Sequence, residues 1–220
     1  MRKRSFILAA LLICWIGLNA QNLQGEKSAT HFFIVNFDEN LYDVLTSAKA
    51  DKKSADANGK EFIASIIDTF YSIATEKLKS EIGLELLPLN ELHDKIKYNK
   101  EYPNCPDMDN IKKVLKSASG YKFYMDYYIN VFSDLNSDLP INLSPSKIRP
   151  LYAIRFVLYD GLGKPVEKID FSYKSKKPLA DGNKQVNKTG QQLKLRLCDF
   201  YNEALDGFSI VCRKKLTSRL

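Results

Sequence analysis

Between residues 60 and 82 the apolar positions recur at helical spacing. Phe62, Ile63, Ile66, Ile67, Phe70, Ile73, Ala74 and Leu78 form one stripe. Gly83 follows where a helix C-cap glycine belongs. The spacing predicts the chain's longest helix over this stretch. Ahead of it, His31-Phe32-Phe33-Ile34-Val35-Asn36-Phe37 is β-branched and aromatic, which predicts a buried strand. Residues 38–59 read as loop, with a helical turn open at 41–45 and a solvated run at 52–59. After the helix, Leu84-Glu85-Leu86-Leu87 reads as a short strand stopped by Pro88. Asn90 is placed to cap a small helix over 91–97. Asp109 or Asn110 starts another through Ser117, closed by Gly120.

Residues 121–132 are rich in aromatics, and propensity favours a strand. Residues 151–159 predict another, and Asp160-Gly161-Leu162-Gly163 is a hairpin turn into a return strand at 166–173. A polar, basic loop covers 174–188. The next segment carries two periods. Leu193, Leu195 and Leu197 alternate as in a strand, whereas Leu193, Leu197, Phe200, Tyr201, Ala204 and Leu205 fit a helix that Thr189 would cap. The longer span favours helix. Asp206-Gly207 then predicts a turn into a last strand at 208–212. The expected fold is α+β: a single mixed sheet of about four to five strands with about three helices. It forms one domain over 31–212, with a flexible leader at 21–30 and a basic tail at 213–220.

Residues 1–20 change the picture by giving an address. Met1-Arg2-Lys3-Arg4 is a basic n-region, Ser5 to Leu18 is apolar, and Ala20 supplies a small residue at a cleavage point before Gln21. This is the pattern of a secretory signal peptide. The apolar run of about 14 residues is short of the ~20 that cross a bilayer. A retained anchor and lipidation of Cys14 stay open as alternatives. The expected location is therefore the periplasm or the extracellular space.

Removing the signal alters the composition. The full chain carries 33 basic and 26 acidic residues and a net charge of +7. Arg2, Lys3 and Arg4 leave with the signal, so the exported part stands at +4, which gives no argument for a nucleic-acid partner. The single Trp, Trp15, leaves too. Hydrophobic content of 45% and charged content of 27% are ordinary for a globular domain. Membrane contact is expected to be peripheral at most. Asn142-Leu143-Ser144 and Asn187-Lys188-Thr189 are glycosylation triplets that matter only in a eukaryotic secretory pathway.

Three cysteines remain: Cys105, Cys198 and Cys212. Cys198 with Cys212 is the preferred disulfide, and a fully reduced set or another pairing stays open. No chemistry-bearing motif is present. His31 and His93 are the only histidines, and neither has a second histidine at metal-ligand spacing. Cys105 lacks a nucleophile signature. Gly161-Leu162-Gly163-Lys164 lacks the frame and the helix of a phosphate loop. No cofactor is expected. The candidate partner surface is the aromatic strand, through Tyr121, Phe123, Tyr124, Tyr127 and Tyr128, with the basic residues Lys174, Lys176 and Lys177.

The element order, with strand 32–37, helix 60–82, strand 84–87 and the hairpin 151–173 around Tyr159-Asp160-Gly161-Leu162-Gly163-Lys164-Pro165-Val166, resembles periplasmic domains of the TolB amino-terminal and curli-secretion-channel type. That resemblance implies a non-catalytic binding or assembly module with a protein partner, either an envelope component or a second copy. A hydrolase-like enzyme with a site assembled from distant residues, and a small-ligand carrier with an apolar cavity between sheet and helix, are the competing expectations.

Overall fold

The structure is a computed structural model of the 220-residue chain. It describes residues 26–47, 55–87, 97, 107, 109–110, 113–114, 121–134, 148–180 and 190–217. The elements in chain order are β1 (Glu26–Phe37), α1 (Glu39–Ser47), α2 (Ala55–Ile82), β2 (Leu84–Leu87), β3 (Tyr121–Ser133), β4 (Pro150–Asp160), β5 (Pro165–Lys174) and α3 (Gly190–Thr217). The strands form one mixed five-stranded sheet in the order β2-β1-β3-β4-β5. β1 lies parallel to β2 and β3, and β3-β4-β5 run antiparallel. The α+β expectation holds. The signal peptide, Cys105, His93, residues 91–96 of the small helix and both glycosylation triplets lie outside the described residues.

The sheet is covered on one face. Phe33, Val35, Phe123, Met125, Tyr127, Ile129, Tyr152, Ile154, Phe156 and Ile169 point into a single core against Phe62, Ile66, Phe70 and Ala74 of α2 and Leu197, Tyr201, Ala204 and Phe208 of α3. Aromatic rings fill the seam. Phe70 stacks on Tyr201 at 4.1 Å, and Phe33 stacks on Tyr127 at 5.4 Å. Phe208 meets Tyr127, Phe156 and Phe171 edge-on. The buried hydroxyls find partners, as buried hydroxyls must. Tyr152 donates to the Leu197 carbonyl at 2.7 Å, and Tyr201 donates to the Tyr127 oxygen at 3.2 Å.

Several expectations are corrected. β1 begins at Glu26, inside the stretch read as flexible leader, because residues 26–29 pair with β2. His31 is the extra residue of a bulge, since Thr30 pairs with Met125 and Phe32 with Asp126. The loop after β1 contains a true helix, α1. Asp38 caps it: its Oδ1 accepts from the Leu41 N–H at 2.7 Å. Its Oδ2 accepts from the N–H and hydroxyl of Ser133 at 2.6 and 2.5 Å. One carboxylate thus ties the end of β1, the start of α1 and the end of β3. Asp38→Ala is expected to cost about 2–3 kcal/mol by urea denaturation, and Asp38→Asn, which keeps one acceptor, about half of that. A loss under about 0.5 kcal/mol for Asp38→Ala would show that the lock carries no weight.

The last strand does not exist. α3 runs unbroken from Gly190 to Thr217 and absorbs the segments read as strand 208–212 and as basic tail. Gly207 is there for space and not for a turn. A Cβ at that position would stand 2.8 Å from the tip of the Phe171 ring on β5. The same helix removes the Cys198–Cys212 disulfide. Fourteen residues of α-helix separate the two by about 21 Å, against the ~7 Å limit between bridged Cα atoms. Both cysteines are free and buried.

Candidate functional site

With the helices on one face, the alternate residues of each strand form the opposite face. The register aligns them into rows. Asn36, Asn130, Ala153 and Ser172 make one row; Ile34, Tyr128, Arg155 and Asp170 make the next; Asp126, Val157 and Lys168 make a third. Among the described residues, most of these positions, though not Ile34 or Ser172, line a shallow groove of about 750 Å³, with Tyr159 and Pro165 at one end.

Polar side chains dominate its floor, and they are organised across strands. Asn36 Nδ2 donates to Asn130 Oδ1 at 2.9 Å. The Tyr159 hydroxyl donates to Asp126 Oδ2 at 3.0 Å, and the Tyr159 ring stacks on Tyr124 at 4.8 Å. Arg155 Nε donates to Asp170 Oδ1 at 2.6 Å, and Lys168 Nζ lies 3.7 Å from the other oxygen. The hydrogen bond from Arg155 holds the Asp170 carboxyl below its ordinary range. Burial, followed by the neighbouring Asp126 charge, pushes the Tyr159 phenol up. Two carboxylates face two cations, so the groove has no net charge. Ala153 and Val157 are its apolar patches.

This chemistry suits recognition better than reaction. Asp170 is already engaged by a cation and is a weaker base for it. Asp170 is therefore not poised as a general base. Asp126 accepts from a phenol that stays protonated at neutral pH.

The residues expected to form the partner surface do not come together. Phe123 and Tyr127 point into the core, 6% and 0% exposed. Tyr124 is on the groove side but is covered, packed on Tyr159. The Tyr121 side chain lies outside the described residues. Only Tyr128 lines the groove. Lys174 stands two rows from it, paired with Asp134 at 2.5 Å. Lys176 and Lys177 are exposed on the turn after β5, where Ser175 Oγ donates to the Lys177 carbonyl. The groove's own residues carried a signal that went unread. Asn36, Asp126, Asn130 and Arg155 each interrupt an apolar strand, all at the parity that points away from the core.

Among the described residues no three His, Cys, Asp or Glu side chains cluster as metal ligands. No described helix is long and apolar enough to cross a membrane. A carboxylate sits on the helical side as well. Glu167 is 5% exposed, with Lys215 Nζ at 3.8 Å from one oxygen, and Lys215 also donates to the Lys168 carbonyl at 3.3 Å. These contacts fasten the end of α3 to β5.

No family model and no curated protein matches the chain. Solved structures that align with it include the PelC dodecamer from Paraburkholderia phytofirmans, with TM-score 0.35, 9% identity and coverage of 83% of this chain and 86% of that one, and a single-substitution variant of the same protein, with TM-score 0.34, 10% identity and coverage of 83% and 87%.

Proposed function

We propose that the protein is an exported, non-enzymatic binding or assembly module whose contact surface is the groove on the open sheet face. The observation that supports this most directly is the groove itself: paired, charge-balanced polar side chains held in register on rigid strands. Sites built on strands hold their geometry well. The signal-peptide pattern supports the export half of the reading, and the likeness to TolB-type and curli-channel-type domains stays one of element order. The carrier alternative loses its main support, because aromatic rings fill the space between sheet and helices.

A photo-crosslinking residue at Ala153, in the groove, tests the proposal in the producing cell. It is expected to trap an envelope component, and Arg155→Ala combined with Tyr128→Ala is expected to reduce that adduct at least about fivefold, as loss of roughly 1 kcal/mol or more would do. The same probe at Asn202, on the helical side, is expected to trap none. Equal adducts from both positions, or none from Ala153, would overturn the groove as the contact surface.

A further inference from the structure

β5 is an edge strand of ten residues, and among the described residues no strand lies on its outer side. Two contacts fix which of its backbone groups face that side. The Ser175 N–H donates to the Pro150 carbonyl, so odd-numbered residues turn their main-chain groups toward β4. The Lys168 carbonyl instead receives the Lys215 side chain. In an antiparallel strand a residue's N–H and C=O point the same way, alternating along the chain. Lys168, Asp170, Ser172 and Lys174 therefore present theirs to the edge, and among the described residues no strand pairs with them. Such an edge is a template for another strand.

The edge is self-complementary. Laid antiparallel on its own copy with Ile169 on the two-fold axis, β5 puts each Lys168 opposite the second copy's Asp170, in the position that exchanges both main-chain bonds. A centre at Phe171 would instead put Lys168 opposite Lys174, like against like. A third feature lies on the same side. Asp206 and Arg213 of α3 pair with Lys77 and Glu81 of α2, whereas Glu203 and Gly207 face Tyr173 and Phe171 of β5. Ile210, three residues beyond Gly207 and seven beyond Glu203, falls on the β5 flank of the helix and is 61% exposed.

We infer that two copies of this chain associate through their β5 edges, antiparallel about Ile169, joining the sheets into one continuous sheet with Lys168–Asp170 pairs across the seam and Ile210 flanking it. Such an isologous contact closes at a dimer. The Lys168 carbonyl has two lone pairs, so the Lys215 contact need not be lost. The dimer would place two grooves side by side, and it stands independently of what the groove holds.

Light scattering coupled to gel filtration, over a range of concentrations, tests it. The wild-type chain is expected to give a concentration-dependent dimer. Asp170→Pro removes an edge-facing N–H together with the carboxylate that pairs with Arg155 and Lys168, and is expected to give a monomer with an unchanged far-UV spectrum. Ser172→Pro, which disturbs no ion pair, serves if Asp170→Pro perturbs the fold. Lys168→Asp is expected to weaken the dimer about tenfold, and Lys168→Asp with Asp170→Lys to restore it, as like and unlike charges opposite one another require. A monomer at all concentrations overturns the inference. So does a dimer indifferent to both prolines, or a mass above the dimer, which would indicate head-to-tail addition.

Discussion

Phe70→Ala is expected to lose about 3–5 kcal/mol, the range for truncating a fully enclosed aromatic. Phe70 is 0% exposed and sits where three elements meet. Its ring stacks on Tyr201 of α3 at 4.1 Å and lies 6.2 Å from Tyr152 of β4 and 6.3 Å from Phe37 of β1. Truncation leaves a void that rings cannot close by small rotations, because each is held on its other side. Tyr201 is tied to Tyr127, and Tyr152 to the Leu197 carbonyl. Domains of this size are stable by only about 5–15 kcal/mol, so the variant should unfold at markedly lower urea. Phe70→Leu, which refills most of the volume, is expected to cost about 1–1.5 kcal/mol. A loss below about 1 kcal/mol for Phe70→Ala would mean that the seam between sheet and helices is not the main source of stability.

Phe70 also shows what was legible in the sequence. Its stripe on α2 is regular over several turns, and Gly83, at φ 81°, ends the helix as a cap glycine should. The β4–β5 hairpin is equally plain, because Asp160-Gly161-Leu162-Gly163 leaves little choice of turn, and Gly163 takes a positive φ of 74°. Periodicity failed where two patterns shared one stretch. β3 carries aromatics at both parities, so the sequence could not say that Phe123 and Tyr127 face the core while Tyr128 faces out. Gly207 resembles a turn locally, and only the approach of Phe171, 36 positions earlier in the chain, explains a glycine inside a helix. The Cys198–Cys212 pairing fails because one unbroken helix holds both cysteines and keeps them apart. The groove was hidden for the same reason as the seam: its residues come from four strands, and register is a tertiary property.

Alkali is expected to unfold the protein, with stability level through neutral pH and falling above about pH 9. Burial pushes the Cys198 thiol up to about 11 and the Cys212 thiol up to about 12, from an ordinary value near 9. Burial likewise pushes Tyr127, Tyr152 and Tyr201 well above the ordinary phenol value near 10. The protonated, neutral form is the folded form in every case. Above an unfolded-state pKa the unfolded chain releases a proton that the folded chain keeps, so unfolding gains free energy as pH rises. Each such group contributes about 1.4 kcal/mol per pH unit. Cys212, 0% exposed, therefore withdraws about 4 kcal/mol between pH 9 and its folded pKa of about 12. The three tyrosines add their own slopes from about pH 10 upward. Urea midpoints measured across this range should decline steeply. Phenolate absorbance should show two populations: exposed tyrosines titrating near pH 10 with the far-UV spectrum intact, and buried ones ionising only as that spectrum is lost. Cys212→Ala should flatten the first part of the decline, between about pH 9 and 10, where the thiols act alone. A midpoint that stays constant to pH 11, or phenols that all titrate together while the fold persists, would show that the Tyr127–Tyr201–Tyr152 cluster is open to water.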